Sequence, residues 1–187
     1  MYAYREIDDH QLRRFTELVC EFPVSHTWAS AVKPAVFLEL GALRPCPRTG
    51  SPSGQICMMI ETDWNMRQGA RVVGGSRFDD AALEASLQSL VGQHVVEIAI
   101  RETSKELTVY FGDGRCFETL TTWEHDAPAW HISLKDKDVI SRIAPSWDGI
   151  DASFALCVDK ESYLVGIGYS YNEDTVKPGV EINDILL

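Results

Sequence analysis

Three groups of residues have side chains suited to chemistry. Glu124-His125-Asp126, with His131 further on, is the densest set of ligand-type residues. Zinc sites place paired ligands two to four positions apart, and Ala127-Pro128 separates His125 from His131, so the spacing predicts a polar loop and no metal. A Cys–His nucleophile pair could draw on Cys46 or Cys116. Thiolate chemistry needs a cationic neighbour or a helix N-terminus, and only Cys46, between Arg44 and Arg48, has an electropositive local sequence. Glu61 and Asp63 alternate along an expected strand beside Trp64. Same-face strand neighbours stand ~7 Å apart, within the range of paired glycosidase carboxylates. Glu61, Asp63 and Trp64, with the loop 41–54, are therefore the candidate pocket of a small enzyme or ligand-binding domain, a reading that convergence with His26 or His125 would favour. Gly74-Gly75-Ser76 and Gly166-Ile167-Gly168 lack the strand–helix context and the Lys-Ser/Thr of a phosphate-binding loop, and no cofactor is expected.

These residues are positioned by elements whose periods can be read along the chain. Leu12, Phe15, Val19 and Phe22 recur at helical spacing after Asp8 and Asp9, predicting a helix over about 9–20. FDDAALEASLQSLVG is the clearest helix: acids open it, Leu83, Leu87, Leu90 and Val91 form its stripe, and Gly92 stops it. Between the helices, AVFLEL reads as an apolar strand and 41–54 as a Pro/Gly loop. QICMMIETDW reads as one alternating strand with Ile56, Met58, Ile60, Thr62 and Trp64 on one face. The stretch NMRQGARVVGGSRF reads as a connection. HVVEIAI is a strand, and LTVYFGDGRCFETL is a hairpin in which Asp113 serves the turn. APAWHISL and a hairpin in SFALCVDKESYLVGIGY complete the regular structure.

Sliding the chain by 72 residues sets Phe15 on Leu87, Leu18 on Leu90, Val24 on Val96 and Phe37 on Val109, and a later deletion sets Trp64 on Trp130. The expected fold class is therefore α+β: twisted antiparallel sheets from two similar β-rich halves, each with one packed helix. The expected domain is single, 1–187, pseudo-duplicated as 9–66 and 80–134, with a C-terminal hairpin and tail 135–187.

Of the 187 residues, 45% are apolar and 24% charged, a globular balance able to bury a core. No apolar run reaches bilayer length, and MYAYREIDDH has no cleavable leader pattern. The five cysteines form no CxxC, which predicts reduced thiols and a cytoplasmic location. The net charge of −11 is uneven: residues 1–60 balance to zero, 61–135 carry −5 and 136–187 carry −6. Such a surface repels nucleic acid and attracts a basic protein. The acids Asp148, Asp151, Glu173 and Asp174, with Tyr169 and Tyr171 near them, are the expected contacts.

PAVFLELGALRP…TGSPSGQICMMIETDW, followed by SLVGQHVVEIAI…ELTVYFGDGRCFETLTT…APAWHIS, resembles a group of small uncharacterised bacterial proteins over about residues 30–134. Some of these are similar to the immunity proteins encoded beside bacterial toxins. The resemblance implies a protein that binds and blocks a cognate toxin, and it carries over no catalytic residues. Joined to the acidic charge and the reduced thiols, it makes a cytoplasmic immunity-type inhibitor of a basic toxin domain the leading expectation. A small enzyme built on the Glu61/Asp63/Trp64 strand end is the alternative. An oligomeric structural protein that pairs through Ile182–Leu187 is another.

Overall fold

A computed structural model describes residues 3–6, 9–30, 35–46, 50–101, 104, 106–120, 130–135, 140–145 and 154–159. In chain order these form β1 (Ala3–Glu6), α1 (Asp9–Val19), β2 (Val24–Ala29), β3 (Val36–Leu40), β4 (Arg44–Pro45), β5 (Pro52–Ser53), β6 (Ile56–Ile60), β7 (Asp63–Gln68) and β8 (Arg71–Gly75). There follow α2 (Asp80–Gln88), β9 (Val95–Ile100), β10 (Leu107–Phe111), β11 (Arg115–Leu120), β12 (Trp130–Lys135), β13 (Ile140–Pro145) and β14 (Phe154–Asp159). The architecture is α+β, mainly antiparallel sheet with two short helices.

Strand alternation dictates how the sheets form. Ile56, Met58, Ile60, Thr62, Trp64 and Met66 are all buried, while the residues between them are half-buried, except Cys57, which is also buried. This single alternating run is shared between two sheets. Its first part, β6, lies in a seven-stranded sheet of order β1–β14–β13–β12–β6–β3–β2. Its second part, β7, lies in a five-stranded sheet of order β8–β7–β11–β10–β9. The expected strand 55–64 is thus one inward face with two sets of partners. Thr62, at the changeover, donates its hydroxyl hydrogen to the Leu120 carbonyl across 2.8 Å.

The core draws on both sheets. Leu38, Met58, Ile60 and Ile132 from one sheet pack in one cluster with Trp64, Met66, Val109 and Phe117 from the other. Trp64 stacks on Phe117 with ring centroids 4.5 Å apart. Each fully buried aliphatic side chain contributes about 1.5–3 kcal/mol of hydrophobic stabilisation. Helix α1 adds Phe15 and Val19 to this core, and α2 adds Leu83 and Leu87. Helix α2 rests on β2 and β8, the end strands of the two sheets, and α1 rests on β9. The Asp79 carboxylate accepts the Ala82 amide hydrogen at 2.9 Å and caps α2. Leu83, Leu87 and Leu90 are buried as the stripe predicts, but Ser86 takes the fourth buried place and Val91 is 40% exposed.

Two local features differ from the sequence reading, and a third lies in β2. The loop 41–54 carries a short β4–β5 hairpin. It is seated so closely that a Cβ on Gly54 would fall 2.4 Å from the Leu40 carbonyl oxygen, a backbone clash that only glycine avoids. The stretch around Gly69 is a β7–β8 hairpin and not a mere connection. In β2 a bulge between Val24 and His26 shifts the alternation, so Thr27 faces the core opposite Leu38 while Trp28 stacks on Phe37. The GDG turn is a turn as expected, with Gly114 at φ 82° and its amide hydrogen donated to the Phe111 carbonyl.

The bulge leaves the Thr27 hydroxyl buried without a hydrogen-bond partner among the described residues. An unpaired buried hydroxyl costs about 1–3 kcal/mol. Thr27→Val, which keeps the β-branched shape, is expected to raise the free energy of unfolding by about 1 kcal/mol, read as a higher urea midpoint at unchanged slope.

Candidate functional site

The first candidate is the strand end at Glu61, Asp63 and Trp64. The structure gives each of them a structural partner. The Ser76 hydroxyl donates to Asp63 Oδ1 at 2.8 Å, and Arg77 Nη2 donates to Oδ2 at 3.1 Å. Ser76 in turn accepts the Trp64 amide hydrogen at 3.3 Å and donates its own amide hydrogen to the Trp64 carbonyl at 3.0 Å. The carboxylate therefore ties the end of β8 to the start of β7. Its pKa lies below the ordinary value, chiefly because of the Ser76 hydrogen bond, with Arg77 adding to it against partial desolvation. A carboxyl held ionised in this way is poorly suited to donate a proton near neutral pH. Trp64 is fully buried in the core, and Glu61 is half-buried and engaged.

Cys20, Cys46, Cys57 and Cys116 are free thiols. Burial pushes the Cys116 thiol up, and the Glu118 carboxylate on the same strand pushes it further. Burial likewise raises Cys20, with Glu97 and Glu17 adding to the effect. Neither is an activated nucleophile. Cys46 is half-buried; its amide hydrogen is donated to the Ser51 carbonyl at 2.8 Å, which fixes it within the β4–β5 hairpin.

A third set was not read as a group from the sequence. Register places Glu39 beside Cys57, Cys57 beside Ser133, and Met59 beside His131, all on the face of the seven-stranded sheet that points away from the core. Glu39, Cys57, His131 and Ser133 are nonetheless buried. The β4–β5 hairpin contributes to this cover, since the Gly54 amide donates to the Glu39 carboxylate at 2.8 Å. The available signal was that AVFLEL and ICMMI are apolar on both faces, the mark of a strand covered on both sides.

The five-stranded sheet behaves oppositely. Across its outer face Glu97, Tyr110, Cys116, Arg67 and Val72 form one row through all five strands. Tyr110 is 39% exposed, Val72 39%, and the bulge residue Val96 next to Glu97 is 56% exposed. Arg67 and Glu118 form an open ion pair at 3.8 Å on this face. Such a pair adds little stability, because water and salt screen it.

The contacts expected from the C-terminal third, Asp148, Asp151, Tyr169, Tyr171, Glu173 and Asp174, lie outside the described residues, as do Glu124, His125, Asp126 and the tail Ile182–Leu187. Among the described residues, no group of three or more His, Cys, Asp or Glu is arranged to hold a metal ion. No described helix is long and apolar enough to cross a membrane. The chain matches no family model, no curated protein and no solved structure.

Two measurements follow from these positions. Because its folded pKa is lowered, Asp63 contributes stability in full above the ordinary carboxylate value near 4, and this is lost as pH falls through the folded pKa. Asp63→Asn is therefore expected to cost about 1–2 kcal/mol at pH 7, with the gap to wild type closing below about pH 4 in pH-dependent urea melts. Alkylation by iodoacetamide at pH 7.5, mapped by peptide mass, is expected to be slower at Cys20 and Cys116 than at an unperturbed thiol and to rise steeply towards pH 10.

Proposed function

We propose that this chain is a binding protein that acts by covering a partner and not by turning over a substrate. Most concretely, it is an immunity-type inhibitor of a basic protein domain, working in the cytoplasm. The observation that carries this reading is the contrast between the two outer sheet faces. One is closed over Glu39, Cys57, His131 and Ser133 and leaves Trp28 exposed at its end strand; the other displays Tyr110, Val96 and Val72 among charged neighbours. An exposed tyrosine on an interior strand of an open sheet face is the kind of residue that anchors protein interfaces. The net charge of −11 favours a basic partner through steering. The Asp63 carboxylate, committed to Ser76 and Arg77, supports the same reading against the enzyme alternative.

We also propose that the two sheets are built from two similar halves, residues 9–66 and 80–134.

Affinity capture by the tagged full chain at low and high salt tests the functional reading. A basic protein retained at low salt and released at high salt is expected. The same bait carrying Tyr110→Ala is expected to bind it at least about tenfold more weakly, as loss of an interface anchor does. Retention unchanged by both salt and Tyr110→Ala would remove this face from the reading.

A further inference from the structure

We infer that the two halves have exchanged their last hairpins about a local two-fold axis, so that five neighbouring strands in each sheet comprise three from one half and two from the other. This rests on the two-halves reading above. Extended past 66 and 134 by one strand each, the first half is α1, β2, β3, β6, β7 and β8, and the second is α2, β9, β10, β11, β12 and β13. Strands β9–β10–β11 of the second half are completed by β7 and β8 of the first. Strands β2–β3–β6 of the first half are completed by β12 and β13 of the second, and β14 and β1 extend only that sheet.

Residue-level register supports the equivalence with one constant shift of 71, which carries Pro23 onto His94. The same shift carries Asp9 onto Asp80, the first residues of the two helices. It also carries the β2 bulge at Val24 and His26 onto the β9 bulge at Val95 and Glu97, each opposite the last residue of the next strand, Leu40 or Phe111. Hydrogen bonds repeat as well. Gly41 donates to the Pro23 carbonyl at 2.9 Å and Gly112 to the His94 carbonyl at 3.0 Å. Ser30 donates to Ala35 at 2.8 Å and Arg101 to Glu106 at 2.9 Å. The shift of 72 read from the apolar pattern is corrected by one, and Leu38, not Phe37, corresponds to Val109.

Past the turns the correspondence continues through pairing. Leu38 pairs with Met58 and Val109 with Phe117; Met58 pairs with Ile132 and Phe117 with Met66. Trp130 and Trp64, two residues back along each strand, are both fully buried. An axis is implied directly by the antiparallel bridge between Pro23 and His94, because a residue paired antiparallel with its own counterpart sits on a dyad. At the changeover, Ile60 pairs with Trp130 and Asp63 with Leu120. A short turn could therefore join β6 to β12, and another β11 to β7, each closing an ordinary hairpin. The native chain joins β6 to β7 and β11 to β12 instead. The largest difference between the halves is the β4–β5 hairpin, which covers Glu39 in the first; the corresponding Tyr110 in the second is open.

A rewired chain in which turns replace residues 61–62 and 121–129 tests the exchange: residues 1–60, a turn, 130–187, a Gly/Ser linker of about 20 residues, 78–120, a turn, and 63–77. The control is the circular permutant 78–187, the same linker, 1–77, which keeps both native changeovers. A single cooperative thermal transition and native far-UV dichroism in both chains are expected. A control that folds beside a rewired chain that does not would overturn the exchange. Superposing residues 9–41 on 80–112 in a crystal structure of the native chain separates the two ideas. A rotation near 180° with matching Cα positions is expected. Halves that fail to superpose would overturn both the two-halves reading and the exchange, whereas halves that superpose beside a rewired chain that fails overturn only the exchange.

Discussion

The whole arrangement depends on an inward face that stays continuous from Ile56 to Met66 while the hydrogen-bonded partners change. Side chains of a strand alternate every residue, so a one-residue slip at Glu61 or Thr62 would have turned Trp64 and Met66 outwards. No slip occurs, and both sheets share one core through this run. Backbone groups at the changeover still need partners, because burial without hydrogen bonding is costly. Thr62 satisfies the Leu120 carbonyl there, and Asp63 with Ser76 fixes the strand that follows. Polar side chains thus hold a junction that the ladder alone would leave open.

What could be read from the sequence was local. The period of 56–64, the helix capped at Asp79 and the turn at Gly112-Asp113-Gly114 are each decided by residues within a few positions of one another. What could not be read depended on distant partners or on single extra residues. The β2 bulge moved Thr27 inward, and nothing in VSHTWA marks where an extra residue is accommodated. The β7–β8 hairpin was hidden because Gly74 and Gly75, which read as a loop, are in fact required by close neighbours. A Cβ on Gly74 would meet Ser86 at 2.7 Å, and one on Gly75 would meet the Trp64 carbonyl at 2.9 Å. The buried set Glu39, Cys57, His131 and Ser133 was invisible as a group because only cross-strand register brings it together. Of the candidate site, Asp63 and Trp64 were located on the correct strand, but their partners Ser76 and Arg77 came from a segment read as a connection.

Electrostatics in this protein is divided between holding and display. Asp63 and Asp113 have pKa values below the ordinary range and are bound to groups close in space: Ser76 and Arg77 for the first, Arg115 for the second. Arg115 is itself mostly buried and reaches the Ser89 carbonyl at 2.7 Å, joining the β10–β11 turn to the end of α2. Glu97, in contrast, is exposed beside Tyr110. Carboxylates of the first kind are part of the framework, and those of the second kind are free to meet another molecule.

The pairing of β6 with β12 has a consequence for the order in which this protein is made. Strand β6 ends at Ile60 and its partner begins at Trp130, so 70 residues must be added before that ladder can start. At about 5–20 residues per second, the run ICMMI waits several seconds with one edge unpaired. Such an apolar, uncharged segment is prone to pair with a neighbouring chain. Meanwhile β2 and β3 are already available on the nascent chain, and β3 can cover the other edge of β6 as soon as it emerges. The early three-stranded meander is therefore the natural shelter for a strand whose second partner is still inside the ribosome.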